Sequence, residues 1–145
     1  IARIGLSKER VARIRRRAKD NGVWDDPLFR SEVIKLEIEL KALEVAQMQI
    51  LARAGESQGR PDPASSILKL RGSQLQQRAS ELLMELEGVA ALRAPGDVAD
   101  PYHAAEEQLA AAAALNNYLN FRKVSIYGGS NEIQKNIIAK TILNL

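Results

Sequence analysis

From Asp26 to about Ala52 the apolar residues keep helical spacing on two adjacent stripes, so this stretch has to lie along several other helices. Asp25 or Asp26 can cap its start, and Pro27 sits at the first helical position, where its fixed φ is already helical and its missing N–H costs nothing. Val33, Leu36, Leu40 and Leu43 form one stripe; Ile34, Ile38, Ala42 and Val45 form its neighbour. Together they are wider than a two-position seam and predict a helix touched on more than one side. Met48 reads as core filler, and Glu37 with Lys41 makes an i,i+4 pair in the favourable order on the polar remainder.

The rest of the chain repeats this logic. Ile4, Val11, Ile14 and Ala18 give the first segment one apolar side. Gly55 to Pro63 reads as a loop, after which Asp62-Pro63 opens a helix through Ile67, Leu68, Leu75, Ala79, Leu82, Leu83 and Leu86. Gly72 inside that helix marks close packing, and Gly88 ends it. Val89 to Asp100 has no period and reads as loop; Asp100-Pro101 then opens a helix from Tyr102 to about Arg122, with a small-residue face at Ala110 to Ala114. Ala, Leu, Glu, Gln, Lys and Arg dominate, whereas aromatics make up 4% and Val, Ile and Thr are too dispersed for strands. One all-α domain over residues 1–145 is expected, an antiparallel up-and-down helical bundle.

Charge and residue inventory exclude several functions. Arg10, Arg13, Arg15, Arg16, Arg17 and Lys19 crowd the first segment, but they fan around an apolar stripe and lack interleaved aromatics, so a solvated or interface face is expected and no nucleic-acid partner. A phosphate or an acidic surface would also satisfy these groups. His103 is the sole histidine and no Cys occurs, so no metal site and no Ser–His–Asp triad are expected. Glu106 and Glu107 read as first-turn acids. The longest apolar run, Leu109 to Leu115, falls far short of the ~20 residues that span a bilayer. A chain without Cys or a span is compatible with the cytoplasm.

The C-terminal run from Lys123 to Gln134 joins a loop to a helix start. Gly128 and Gly129 admit backbone angles closed to other residues, and Ser130 or Asn131 can cap a helix whose apolar positions are Ile133, Ile137, Ile138, Thr141, Ile142 and Leu145. Unpaired N–H groups at such a start suit a phosphate or an oxyanion.

The run Ile126-Tyr127-Gly128-Gly129-Ser130-Asn131-Glu132-Ile133-Gln134, with Ile137 to Lys140 behind it, resembles the C-terminal signature of acyl-CoA dehydrogenases. The resemblance extends back through Pro61-Asp62-Pro63-Ala64-Ser65-Ser66-Ile67-Leu68-Lys69 to the segment beginning at Asp26, and so covers nearly the whole chain but one of the family's three domains. It implies a fragment of a longer chain, which Ile1 in place of Met also fits. It further implies FAD as cofactor and α,β-dehydrogenation of an acyl-CoA thioester, a step of lipid metabolism. Electron-transfer flavoprotein or a similar acceptor, and a homo- or hetero-tetramer with the helical domains at its centre, are implied as partners.

Carried over position by position, the resemblance places Tyr127, Gly128 and Gly129 at the thioester, where the Gly128 N–H would donate to its oxygen. Ser130, Asn131 and Glu132 fall at the flavin's ADP portion. The carboxylate that many members use as base would stand at Gly128, so the base is expected from a Glu just upstream of Ile1, as in another branch, or the chain is a non-catalytic helical subunit beside a catalytic one. The family's Arg-x-x-Phe-Gly element is replaced by Asn21-Gly22-Val23-Trp24-Asp25, and its Gln-led glycine-rich turn by Met84-Glu85-Leu86-Glu87-Gly88. The Asp-Pro-Ala-Ser-Ser and Tyr-Gly-Gly-Ser forms are similar to the branch of pimeloyl-CoA dehydrogenase large subunits and actinobacterial relatives that act on bulky or carboxylated acyl-CoA.

Overall fold

The computed structural model describes residues 4–54, 62–92 and 106–145. Within them lie α1 (Ile4–Asp20), α2 (Pro27–Ala54), α3 (Ser65–Glu87), α4 (Glu106–Phe121) and α5 (Asn131–Thr141), with 3-10 turns at Val23–Asp25, Gly88–Leu92 and Arg122–Ser125. No strand occurs among the described residues, and the all-α bundle expected from the sequence is the observed architecture.

In α1, Ile4, Ser7, Val11, Ile14 and Ala18 are buried at alternating spacings of three and four, a single seam against the neighbouring helices. Asp26 caps α2: its Oδ1 accepts the Leu28 N–H at 2.9 Å and its carbonyl accepts the Arg30 N–H at 3.0 Å. Phe29, Val33, Leu36, Leu40, Leu43 and Ile50 bury one face of α2. The second stripe behaves otherwise, with Ile34, Ile38, Ala42 and Val45 exposed. Met48 is not core filler either: it is 60% exposed, because it lies on this uncovered side.

α3 is the hub, touched by α1, α2, α4 and α5. Its buried residues, Ser66, Leu68, Gly72, Ser73, Leu75, Ala79, Ser80, Leu82, Leu83 and Leu86, therefore go round much of its circumference. Ile67 alone among its expected apolar positions is exposed. The helix starts at Ser65, later than the Asp62-Pro63 cap predicts: Asp62 Oδ1 accepts the Ala64 N–H at 2.8 Å and its carbonyl accepts the Ser65 N–H at 2.9 Å, a turn leading into the helix. After Gly88 the chain winds through a 3-10 turn, anchored by buried Ala91, where a loop was expected; five residues at three per turn are too few to leave a visible period. Ala111, Ala112 and Ala114 bring α4 close to α3. The expected loop at 55–61, the Asp100-Pro101 start and His103 lie outside the described residues, as do the side chains of Glu106 and Glu107.

The basic face of α1 ties helices together. Arg15 reaches Glu37 at 3.3 Å and stacks over Trp24 at 5.0 Å. Arg10 lies 4.2 Å over the Phe121 ring of α4, and Arg17 pairs with Glu87 at the end of α3. Between α2 and α3, Arg78 meets Glu32 at 3.0 Å and Arg71 meets Glu39 at 2.6 Å. Arg13 and Arg16 remain exposed to solvent.

Candidate functional site in the turn before α5

The chain from the end of α4 to the start of α5 crosses α3 and is held there by one polar stripe of that helix. Gln77 Nε2 donates to the carbonyls of Phe121 at 3.3 Å and Arg122 at 3.0 Å. In return the Arg122 guanidinium donates to the Gln77 carbonyl at 3.1 Å and to Ser80 Oγ at 3.4 Å, while stacking 4.3 Å over Tyr118. Further along α3, Lys69 Nζ donates to the Ser125 carbonyl at 3.4 Å and to Asn131 Oδ1 at 2.9 Å. The Ser73 hydroxyl is shared between the Leu70 carbonyl at 2.8 Å and Asn131 Oδ1 at 3.1 Å. Lys69, Ser73, Gln77 and Ser80 are spaced by four, four and three, and so lie along one face of the helix. Buried Val124 supplies the apolar contact beneath the turn.

Between these anchors the turn itself stands in solvent. Ile126, Tyr127, Gly128 and Gly129 are exposed, and both glycines take positive φ, 70° and 90°, in the left-handed region that costs a side chain dearly. At Gly129 a Cβ would also meet Gln134 Nε2 at 2.6 Å, whereas at Gly128 nothing lies within 4 Å. Among the described residues no backbone carbonyl accepts the Gly128 or Gly129 N–H, and both residues are exposed, so these donors are open to a ligand. Ser130 settles the alternative of caps: its backbone is extended and its Oγ accepts the Ile133 N–H at 3.4 Å, which makes Asn131 the first helical residue.

The electrostatics of this helix start are mixed. The Glu132 carboxyl is held below the ordinary carboxylate range, first by its own backbone N–H and then by the Ser130 hydroxyl, with Lys135 and Lys69 adding to the effect and desolvation opposing it. Burial lowers the Lys69 ammonium from its usual value, and Glu132 partly restores it. A ligand here therefore meets outward amides suited to an oxyanion or phosphate, and beside them a carboxylate suited to hydroxyl groups. A flavin's ADP portion carries both kinds of group, so these residues fit it. Gly128 has no side chain, and the Glu132 carboxyl is the acidic group of this helix start, held low by its own backbone N–H and by Ser130.

Five of the six expected site residues, Tyr127, Gly128, Gly129, Ser130 and Glu132, thus share one exposed ledge. Asn131 differs: its side-chain oxygen turns inward to Lys69 and Ser73, which leaves its Nδ2 and its main chain as what it can offer a ligand. The α3 stripe escaped sequence reasoning because polar residues at helical spacing look like a solvated face; the signal was that this face runs along a helix otherwise apolar nearly all round. Glu87, read from sequence as a loop residue, is the last residue of α3 and is occupied by Arg17. No helix among the described residues is long and apolar enough to cross a membrane, and no cluster of His, Cys, Asp or Glu there can hold a metal ion.

Comparison with known proteins places this geometry. Acyl-CoA dehydrogenase IpdE1 of Mycolicibacterium smegmatis is 32% identical over 128 residues, which are 88% of this chain and 28% of that protein. IpdE1 of Mycobacterium tuberculosis is 29% identical over 128 residues, 88% of this chain and 29% of that protein. The chain thus spans under a third of the length of these curated relatives. Among solved structures, the ChsE4-ChsE5 complex from Mycobacterium tuberculosis matches with a TM-score of 0.72 at 22% identity, over 100% of this chain and 37% of that one. The Tcur3481-Tcur3483 steroid ACAD matches with a TM-score of 0.66 at 21% identity, over 98% of this chain and 34% of that one. The family model for the acyl-CoA dehydrogenase C-terminal domain matches residues 5–143, and with nearly all of its length so accounted for, the chain belongs to the acyl-CoA dehydrogenase family.

Proposed function

We propose that this chain acts within a longer polypeptide as the thioester- and flavin-contacting helical domain of an FAD-dependent acyl-CoA dehydrogenase. The observation that carries the reading is the Tyr127–Glu132 ledge, where two exposed glycines without a backbone partner for their N–H groups precede a capped helix start. When bound, the flavin supplies a hydride acceptor. The Gly128 N–H donates to the thioester oxygen and stabilises the enolate-like charge that builds there as the α-proton leaves. Tyr127 and Gly129 shape the same contact, while Ser130, Glu132 and the main chain of Asn131 hold the ADP portion. The base comes from outside these residues, from a Glu upstream of α1.

Expression of the full-length protein tests this. A purified protein with the visible spectrum of an oxidised flavin, bleached by an acyl-CoA, is the expected result; a colourless protein that desaturates no acyl-CoA after FAD is added would sink the proposal. The branch resemblance favours bulky or carboxylated acyl-CoA, and the family resemblance an electron-transfer flavoprotein or similar acceptor.

Gly128 also favours a second reading, in which the chain is the non-catalytic helical subunit of a heteromeric dehydrogenase. Activity that appears only on co-expression with a second, base-carrying subunit selects this reading; activity of the homomeric protein rejects it. Either way a tetramer is proposed, homomeric or built from two kinds of subunit, with the uncovered stripe of α2 at its centre.

A further inference from the structure

We infer that Lys69 is a positioning residue, which holds the Tyr127–Ser130 turn in register through Asn131 while touching no ligand itself. The inference rests on the proposed function for its consequence in catalysis, but on geometry alone for the latch. Three observations carry it. Lys69 bridges both ends of the turn at once, donating to the Ser125 carbonyl on its near side at 3.4 Å and to Asn131 Oδ1 on its far side at 2.9 Å. Second, Asn131 is committed inward, with Ser73 Oγ 3.1 Å from the same oxygen, so its side chain serves α3 and not the solvent side where a ligand would lie. Third, α5 buries no residue fully and Ile133 in its first turn is 52% exposed, so these polar contacts carry much of what holds its N-terminus.

The turn needs such a latch because its own residues cannot supply one. Glycine is the most permissive residue type, and the amides of the adjacent Gly128 and Gly129 are useful only where both are aimed together. A charged donor bridging the two flanks converts that permissive segment into one conformation. Further back, a neutral bond from Gln77 and a charge-assisted one from the Arg122 guanidinium fix the end of α4 in the same way.

The test uses the full-length protein and the variant Lys69→Met, which keeps length and apolarity but removes the ammonium. Amide exchange of residues 126–133 should rise about tenfold, the scale expected for losing a hydrogen bond to a charged group, while α1 and α2 exchange as in the parent. In the flavin-loaded enzyme kcat and kcat/KM for the acyl-CoA should both fall about tenfold, with KM changed less than about twofold, because the Gly128 N–H acts on charge that builds in the transition state. Asn131→Ala reads the same link from its other end and serves where Lys69→Met does not fold; the double variant should be no worse than either single one. Unchanged exchange at 126–133 in both variants overturns the latch, as does a rise spread evenly over every helix. Flavin binding judges the two claims apart: a colourless parent protein with a locally loosened turn in Lys69→Met refutes the dehydrogenase reading alone, whereas a yellow, active parent with an unmoved turn refutes only the latch.

Discussion

Arg17 of α1 grips Glu87, the last residue of α3, with its guanidinium NH2 group 2.8 Å from Oε2 and Nε bonded to Oε1. The Glu87 side chain is only 5% exposed, so the pair clamps the start of the bundle to the far end of its central helix in a partly dry setting. Because the carboxylate is spoken for, Glu87 is removed from the candidates for a catalytic base. Removing Arg17 should leave a nearly buried carboxylate without its strongest partner. We expect Arg17→Ala to destabilise the fold by about 2–3 kcal/mol, below the full cost of breaking a deeply buried pair because Arg17 itself is partly exposed. Denaturant unfolding checks this, and a loss under about 0.5 kcal/mol would show that the clamp contributes nothing.

Leu40 and Leu82 face the core at 3% and 0% exposure, and truncating either to Ala should cost about 2–5 kcal/mol. The contrast lies one stripe away on α2, where Ile38 is 64% exposed. Truncating Ile38 should change the stability of the isolated fold by no more than about 0.5 kcal/mol. If the second stripe is the tetramer contact, Ile38→Glu should instead lower the assembly state of the full-length protein, read by light scattering, with helical content unchanged. A tetramer that survives this substitution, or a parent that is a monomer at micromolar concentration, removes the stripe from the interface.

These contrasts mark how far the sequence was legible. Burial of Ile4, Val11, Ile14 and Ala18, and of Val33, Leu36, Leu40 and Leu43, follows from spacing, since a periodic apolar stripe has one stable place to go. Spacing does not say which of two stripes is covered by the same chain, and so Ile38 and Met48 misled. Ile133, Ile137 and Ile138 of α5, and Ile142 and Leu145 beyond its end at Thr141, are regular too, yet none is buried. At the site, the glycines and the cap were legible because backbone chemistry restricts what can stand there. Lys69, Ser73 and Gln77 were not, because their partners lie more than forty residues away and only the position of α3 at the centre of the bundle brings them together.

Acid should release the α1–α2 contact between Lys8 and Glu44 only at low pH. Lys41, then Lys8, hydrogen-bonds the Glu44 carboxyl and lowers it to about 2. An unfolded Glu titrates near about 4.3, so the folded value is depressed. The sign follows: the pairing contributes in full above about pH 4.3 and is lost as pH falls through about 2. A carboxyl-carbon titration by NMR should show Glu44 as a low outlier, and Lys41→Met should move it up toward the ordinary value. High salt should shrink the difference, since these groups are open to solvent. A Glu44 that titrates near 4.3 in the parent protein would refute the pairing.

The ledge offers a sharper test of roles, because its two glycines differ. A side chain at position 128 meets empty space but must adopt φ near 70°, at a cost of about 1–2 kcal/mol. At position 129 it must also displace Gln134, so Gly129→Ala should cost more than Gly128→Ala, and Gln134→Ala should recover part of the excess. Gly128→Glu is then tolerable for the fold and places a carboxylate where many members of the family carry their base. If the base comes from upstream, Gly128→Glu gives the enzyme a second one, and turnover by the full-length upstream-Glu→Gln variant should rise when Gly128→Glu is added. Glu132→Ala, by contrast, should weaken flavin retention while α-proton exchange persists once flavin is restored, because Glu132 holds the helix start and does not take the proton. Loss of that exchange in a fully flavinated Glu132→Ala enzyme, about 10²-fold or more as for removal of a general base, would reassign the proton acceptor to Glu132 itself.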